Sequence, residues 1–154
     1  MASRKTAKSF VEKLKDSDSK TVDLGVEDVR LAAAVLLVHA SAVDGAVDVR
    51  ERLTLHDILE RGFELDAVQL GDLIARADEK EKEALDLDGY ADVLTRKLDK
   101  RNRMKILEML FEVINADGII NDDEGKFASR VEHSLGITPQ DWAKARQEEA
   151  RGDG

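Results

Sequence analysis

The chain has 154 residues, 42% hydrophobic and 37% charged, with a net charge of −9, one Pro and no Cys. That length supports a single core and leaves little for two independent domains, and the lack of cysteine excludes disulfides, thiolate metal ligands and a cysteine nucleophile. Residues 1–20 carry six basic side chains (Arg4, Lys5, Lys8, Lys13, Lys15, Lys20) against three acidic ones (Glu12, Asp16, Asp18), which leaves about −12 on the remainder, a charge unsuited to nucleic acid because that binding rests on neutralising phosphates.

Residues 1–24 read as a basic N-terminal stub and linker: a short amphipathic stretch over 9–14 (Phe10, Val11, Leu14), then the polar Asp16-Ser17-Asp18-Ser19. A helical domain is expected over 25–150. Its first strong helix, 27–43, is apolar nearly all round, the pattern of a central buried helix. The apolar run 31–43 is broken by His39 and Ser41 and is too short to cross a bilayer. No secretory signal is evident at the N-terminus, so the cytoplasm is the expected location. A second helix over 48–61 turns Leu55, Ile58, Leu59 and then Phe63 inward, with Gly62 as its terminator. Asp66 opens a third, with Leu70, Ile74 and Ala77 inward, running into the charged stretch 78–83. Leu87, Tyr90, Ala91, Leu94 and Leu98 keep helical spacing. Further helices are expected over 100–116, 122–135 and 139–150, the last opened by Thr138-Pro139-Gln140-Asp141 with Thr as cap, and a frayed tail over 151–154. The predicted fold is all-α, seven or eight helices and no strand.

The chain contains one stretch twice. Leu36-Leu37-Val38-His39-Ala40-Ser41-Ala42-Val43-Asp44-Gly45-Ala46-Val47-Asp48-Val49-Arg50-Glu51 returns 73 positions later as Met109-Leu110-Phe111-Glu112-Val113-Ile114-Asn115-Ala116-Asp117-Gly118-Ile119-Ile120-Asn121-Asp122-Asp123-Glu124. After a one-residue shift, Leu55, Leu59 and Phe63 align with Phe127, Val131 and Leu135. Two copies predict one domain of two pseudo-symmetric halves, 27–63 and 100–136, because an open array needs three or more. The copies differ on one helix stripe: Ala32, Val35, His39 and Ala42 in the first stand where the second has Lys105, Glu108, Glu112 and Asn115. The first stripe is therefore expected to be covered, by the N-terminal stub or by another helix, and the second to face solvent.

Any chemistry would sit in the repeated turn, and the turn has two readings. As structure, Asp44-Gly45 and Asp117-Gly118 are helix exits, Gly accepting the left-handed conformation. Asp48…Glu51 and Asn121…Glu124 are then capping boxes, Asx taking an amide of the new helix and Glu reaching back to the cap amide. As a site, Asp44, Asp48 and Glu51 in the first copy, and Asp117, Asn121, Asp122 and Glu124 in the second, crowd hard oxygen donors of the kind that hold Ca²⁺ or Mg²⁺. Asp44 and Asp117 favour the second reading: each sits at the carbonyl-rich end of a helix, where the macrodipole disfavours negative charge. The spacing is not that of an EF-hand, since Ile119 and Ala128 occupy the third and twelfth positions counted from Asp117. His39, His56 and His133 lie far apart in sequence and do not suggest zinc. Trp142 and Tyr90 read as core anchors, and no Ser-His-Asp order or Gly-rich phosphate loop is present, so no catalytic residue is assigned.

Over residues 27–142 the chain resembles the TerB (tellurite-resistance protein B) family. The resemblance is carried by Val43-Asp44-Gly45-Ala46-Val47-Asp48-Val49-Arg50-Glu51, by Ala116-Asp117-Gly118-Ile119-Ile120-Asn121-Asp122-Asp123-Glu124, and by the closing Leu135-Gly136-Ile137-Thr138-Pro139. It implies an all-α fold in two pseudo-symmetric halves. It further implies a non-enzymatic role in tellurite and chemical-stress response, binding of divalent metal, and a protein partner at or near the inner membrane, with the chain itself cytoplasmic or peripheral there. The chain departs from the pattern in His39 and Ser41, in Arg50 beside the first acidic set, and in Asn121 where the first copy has Asp48. The alternative function is an interaction scaffold whose acidic turns only cap helices.

Overall fold

Every regular element of the described residues is helical: α1 (Val22–Ala42), α2 (Val49–Gly62), α3 (Ala67–Glu83), α4 (Asp88–Lys97), α5 (Lys100–Ile114), a 3-10 turn (Asn115–Asp117), α6 (Asp122–Ser134) and α7 (Pro139–Asp153). The computed structural model describes residues 22–42, 49–83, 87–118 and 122–153, with side chains within 29–42, 49–83, 87–116 and 122–148. α1 begins at Val22, inside the segment 1–24 expected as linker, and α7 runs to Asp153, past the point where a frayed tail was expected. A single glycine in each extension (Gly25, Gly152) costs a helix about 1 kcal/mol, too little to end it. The rest of the N-terminal stub lies outside the described residues.

α1 is the central helix. Its residues 32–38 are all buried, as an all-round apolar helix must be, and α2, α3, α4, α5 and α6 pack around it. α5, its repeat mate, lies against α1, α2, α4 and α6 and contributes Met104, Ile106, Leu107, Met109, Leu110, Val113 and Ile114 to the same core. The packing follows a two-fold exchange of halves: α1 on α2 matches α5 on α6, α2 on α5 matches α6 on α1, and the α1–α5 contact maps onto itself.

The repeat extends further than the expected 27–63 and 100–136. α2 and α6 leave by the same turn, with Glu64 (φ 52°) and Gly136 (φ 70°) left-handed. The amides of Leu65 and Ile137 donate back to the carbonyls of Glu60 and Glu132 at 3.0 and 3.1 Å, the helix-closing bond of a Schellman exit. Gly62 is thus the last residue of α2 and not the left-handed one. Its missing side chain makes room for the Met109 methyl, which occupies the place a Cβ would need. Matching capping boxes follow. The Gln69 amide donates to Asp66 Oδ1 at 2.8 Å and the Asp66 amide to Gln69 Oε1 at 2.9 Å. The Asp141 amide donates to Thr138 Oγ1 at 3.2 Å and the Thr138 amide to Asp141 Oδ2 at 2.8 Å. The backbone amide of Thr138, with smaller help from its hydroxyl and from Lys100, holds the Asp141 carboxyl below its ordinary range. The halves are therefore α1–α3 and α5–α7, with α4 between them.

The stripe comparison is upheld at most positions. Ala32 and Val35 are buried and His39 is half-buried, while Lys105, Glu108 and Glu112 are exposed. Other helices supply the cover: His39 Nδ1 lies 3.0 Å from Glu81 Oε2 of α3, and its ring sits edge-on to Phe127 of α6 at 4.7 Å. Ala42 corrects the expectation. It is exposed because it is the last residue of α1, at the margin of that packing. Tyr90 and Trp142 are half-buried against the core, not sealed within it.

Glu64 holds a left-handed conformation that costs a side-chain-bearing residue of order 1 kcal/mol, and its repeat mate is Gly136. Glu64→Gly is expected to raise the unfolding free energy by about 0.5–1 kcal/mol, read as an increase in the urea midpoint at unchanged slope.

Candidate cation site at the repeated turns

α5 tightens into the 3-10 turn at Asn115, whose side-chain amide donates to the Phe111 carbonyl at 3.0 Å. Gly118 then takes the left-handed conformation (φ 80°), its amide donating to the Asn115 carbonyl at 2.9 Å. The Asp-Gly exit of the second copy is thus a glycine-terminated turn, as expected. Asp44, Gly45, Asp48 and Asn121 lie outside the described residues, as does the side chain of Asp117, so the caps expected from Asp48 and Asn121 lie there too.

The two glutamates of the motif are described, and both are buried. Glu51 is the third residue of α2 and Glu124 the third of α6, at 3% and 2% exposure. The other two capping boxes of the chain contrast with this: Gln69 is exposed and the Asp141 side chain is 19% exposed. A cap needs only a carboxylate near the helix start, and burying one costs free energy unless it is compensated. Helical spacing held a signal for this burial. Glu51 shares a face with the buried Leu55, Ile58 and Leu59, and Glu124 with Phe127, Ala128 and Val131. Each glutamate therefore occupies a core-facing register that the motif reading passes over.

The candidates do not form one described cluster. Asp122 and Asp123 face solvent beside the buried Glu124. α2, which carries Glu51, packs against the 3-10 turn that precedes α6, so the first copy's helix touches the second copy's turn. Among the described residues, no group of three or more His, Asp or Glu is placed to hold a metal ion. The three histidines are separate: His39 engages Glu81, His133 is exposed on α6, and His56 lies on α2 one turn from Arg52. Arg52 Nη2 meets Asp78 Oδ2 of α3 at 2.6 Å. Burial, then the positive charge of Arg52, push the His56 pKa below its ordinary value against a smaller opposing pull from Asp78. No helix of the described residues is long and apolar enough to cross a membrane.

An all-α domain of two matched halves, each with an Asp-Gly in its sequence ahead of a helix that buries a glutamate, defines a double-motif helical protein. The family described as Tellurite resistance protein TerB matches residues 30–147, and the chain belongs to that family. No curated protein and no solved structure matches it.

The lowered pKa of His56 sets a sign for pH dependence. The folded state disfavours the charged form, so this contribution to stability is fully present above the unfolded value of 6.5 and is lost as pH falls from there through the lower folded value. Urea melts between pH 7.5 and 5.5 are expected to show that loss, and His56→Gln to flatten it.

Proposed function

We propose that this chain is a non-enzymatic binding module of tellurite or chemical-stress response, which takes up a divalent cation at its acidic turns and engages a protein partner. The supporting observation is the burial of Glu51 and Glu124 at matched places in the two halves, when the capping boxes at Asp66 and Thr138 keep their third residue at or near the surface. Two buried carboxylates at the openings of two helices, each preceded by an Asp-Gly turn, are hard donors suited to Ca²⁺ or Mg²⁺. A cation bound there would be held by carboxylate oxygen, the donor that hard cations favour. Asp117, Asn121, Asp122 and Glu124 make the stronger candidate set and Asp44, Asp48 and Glu51 the weaker, since Arg50 adds a positive charge beside the first. A cytoplasmic chain working beside a membrane protein at the inner membrane completes the reading.

The capping boxes also favour a second reading. Asp66…Gln69 and Thr138…Asp141 use the same spacing purely to start helices, so the acidic turns would do the same in an interaction scaffold that holds no metal.

Thermal melts of metal-stripped protein with Ca²⁺, Mg²⁺ and Mn²⁺ separate the two. A cation bound only by the folded state contributes RT ln(1 + [L]/Kd), about 2.7 kcal/mol at a hundredfold excess over Kd. The melting temperature is expected to rise with the ion, and Asp117→Asn or Glu124→Gln to remove most of that rise. A melt that no divalent ion at millimolar concentration shifts beyond a matched salt control overturns the cation reading and leaves the scaffold.

A further inference from the structure

α3 and α7 are repeat mates held in very different ways. α3 lies along α1 and α2 and buries Leu73, Ile74 and Ala77. No residue of 139–148 in α7 is buried, and the core is complete without any of them. Leu70, which follows the α3 cap, corresponds to Trp142, which follows the α7 cap. Beyond that pair the apolar pattern of α7 fades, leaving only the half-buried Ala145.

The rest of the hold on α7 is polar. Trp142 Nε1 donates to Glu132 Oε2 at 2.7 Å, and the indole lies tilted over Phe111 of α5 at 6.1 Å. Lys100 Nζ pairs with Asp141 Oδ1 at 3.3 Å and Arg101 Nη2 with Glu148 Oε2 at 3.7 Å. Lys100 and Arg101 are both more than half exposed. Exposed pairs of this kind are worth about 0–1 kcal/mol each and weaken as salt screens them. The body of α1–α6 responds to salt in the opposite sense, because screening relieves the self-repulsion of a strongly acidic chain. Local opening starts where buried apolar contacts are few, and α7 has the fewest of the described helices.

We propose that α7 is a releasable strap: it detaches as a unit while α1–α6 stay folded, baring Phe111 and freeing Glu132, Lys100 and Arg101, and rising ionic strength favours the open form. Opening costs the body none of its core. The face it uncovers pairs an aromatic ring with one carboxylate and two cations on neighbouring helices, a surface that the closed form keeps covered.

Trp142 is the only tryptophan of the chain, so its fluorescence reports α7 while far-UV circular dichroism reports the whole helical fold. Urea titrations of the full chain at low salt and at about 0.5 M NaCl, where the screening length falls to a few ångström, separate the two signals. The fluorescence change is expected to precede the loss of helix, and the gap to widen in salt. Ala145→Leu, which lengthens the apolar seam, is expected to bring the two transitions together. Hydrogen exchange in the absence of urea should show 140–148 opening at least about tenfold faster than 104–114. Coincident transitions at both salt concentrations, or equal protection of the two segments, overturn the strap, and a gap that salt does not widen overturns its ionic control.

Discussion

The fold depends on one constraint: α1 is enclosed by five other helices, and an enclosed helix must be apolar on every side yet narrow enough for its neighbours to approach. Ala32, Ala33, Ala34 and Ala40 supply the narrow places, and Val35, Leu36, Leu37 and Val38 fill the wide ones. Interaxial distances of roughly 8–10 Å require that alternation of sizes, and interiors at crystal-like density tolerate little departure from it. At matched positions α5 is the bulkier helix: Ala33, Ala34 and Ala40 of α1 stand where α5 has Ile106, Leu107 and Val113. The two polar residues of α1 near its end are accommodated locally. The Ser41 hydroxyl donates to the Val38 carbonyl at 2.7 Å, and His39 reaches Glu81.

The same enclosure accounts for the asymmetry of the halves. α4 follows the first half and packs on α1, α5 and α6, and the α1 stripe is buried at Ala32 and Val35. The corresponding stripe of α5 faces water and carries Lys105, Glu108 and Glu112, and Arg61 at the end of α2 comes within 3.9 Å of Glu112. Asn102, where the first half has Val29, is buried with its Oδ1 making no hydrogen bond. The second half thus carries a polar group in its core that the first half does without.

Much of this was legible in the sequence. The apolar runs located α1 and α5 at the centre, and the shared Asp-Gly and Asx…Glu spacing identified the two halves. Three features were not legible, each for a physical reason. The left-handed exit at Glu64 was hidden because its side chain does not advertise the conformation as Gly136 does. The match of α3 to α7 was hidden because Leu70 and Trp142 share burial and position but not residue type. The burial of Glu51 and Glu124 was hidden because one pattern, an acid three places after a cap, serves exposed and buried carboxylates alike. Only the helical register behind each glutamate separates the cases.

That register also bears on how the two readings of the turns relate. A carboxylate can accept from its cap amide at the rim of the core, as Asp141 does from Thr138, and keep part of its hydration. At 2–3% exposure Glu51 and Glu124 have surrendered nearly all of theirs, and charged groups so placed require compensation by hydrogen bonds or opposite charge. Amides at the start of a helix, with the positive end of its dipole, favour a carboxylate placed there. The Asp-Gly turns push the other way, bringing Asp44 and Asp117 close in sequence to each glutamate and adding negative charge. Capping alone gives no role to the aspartate that precedes each glycine, since Asp44 and Asp117 add negative charge to the sequence ahead of a buried glutamate.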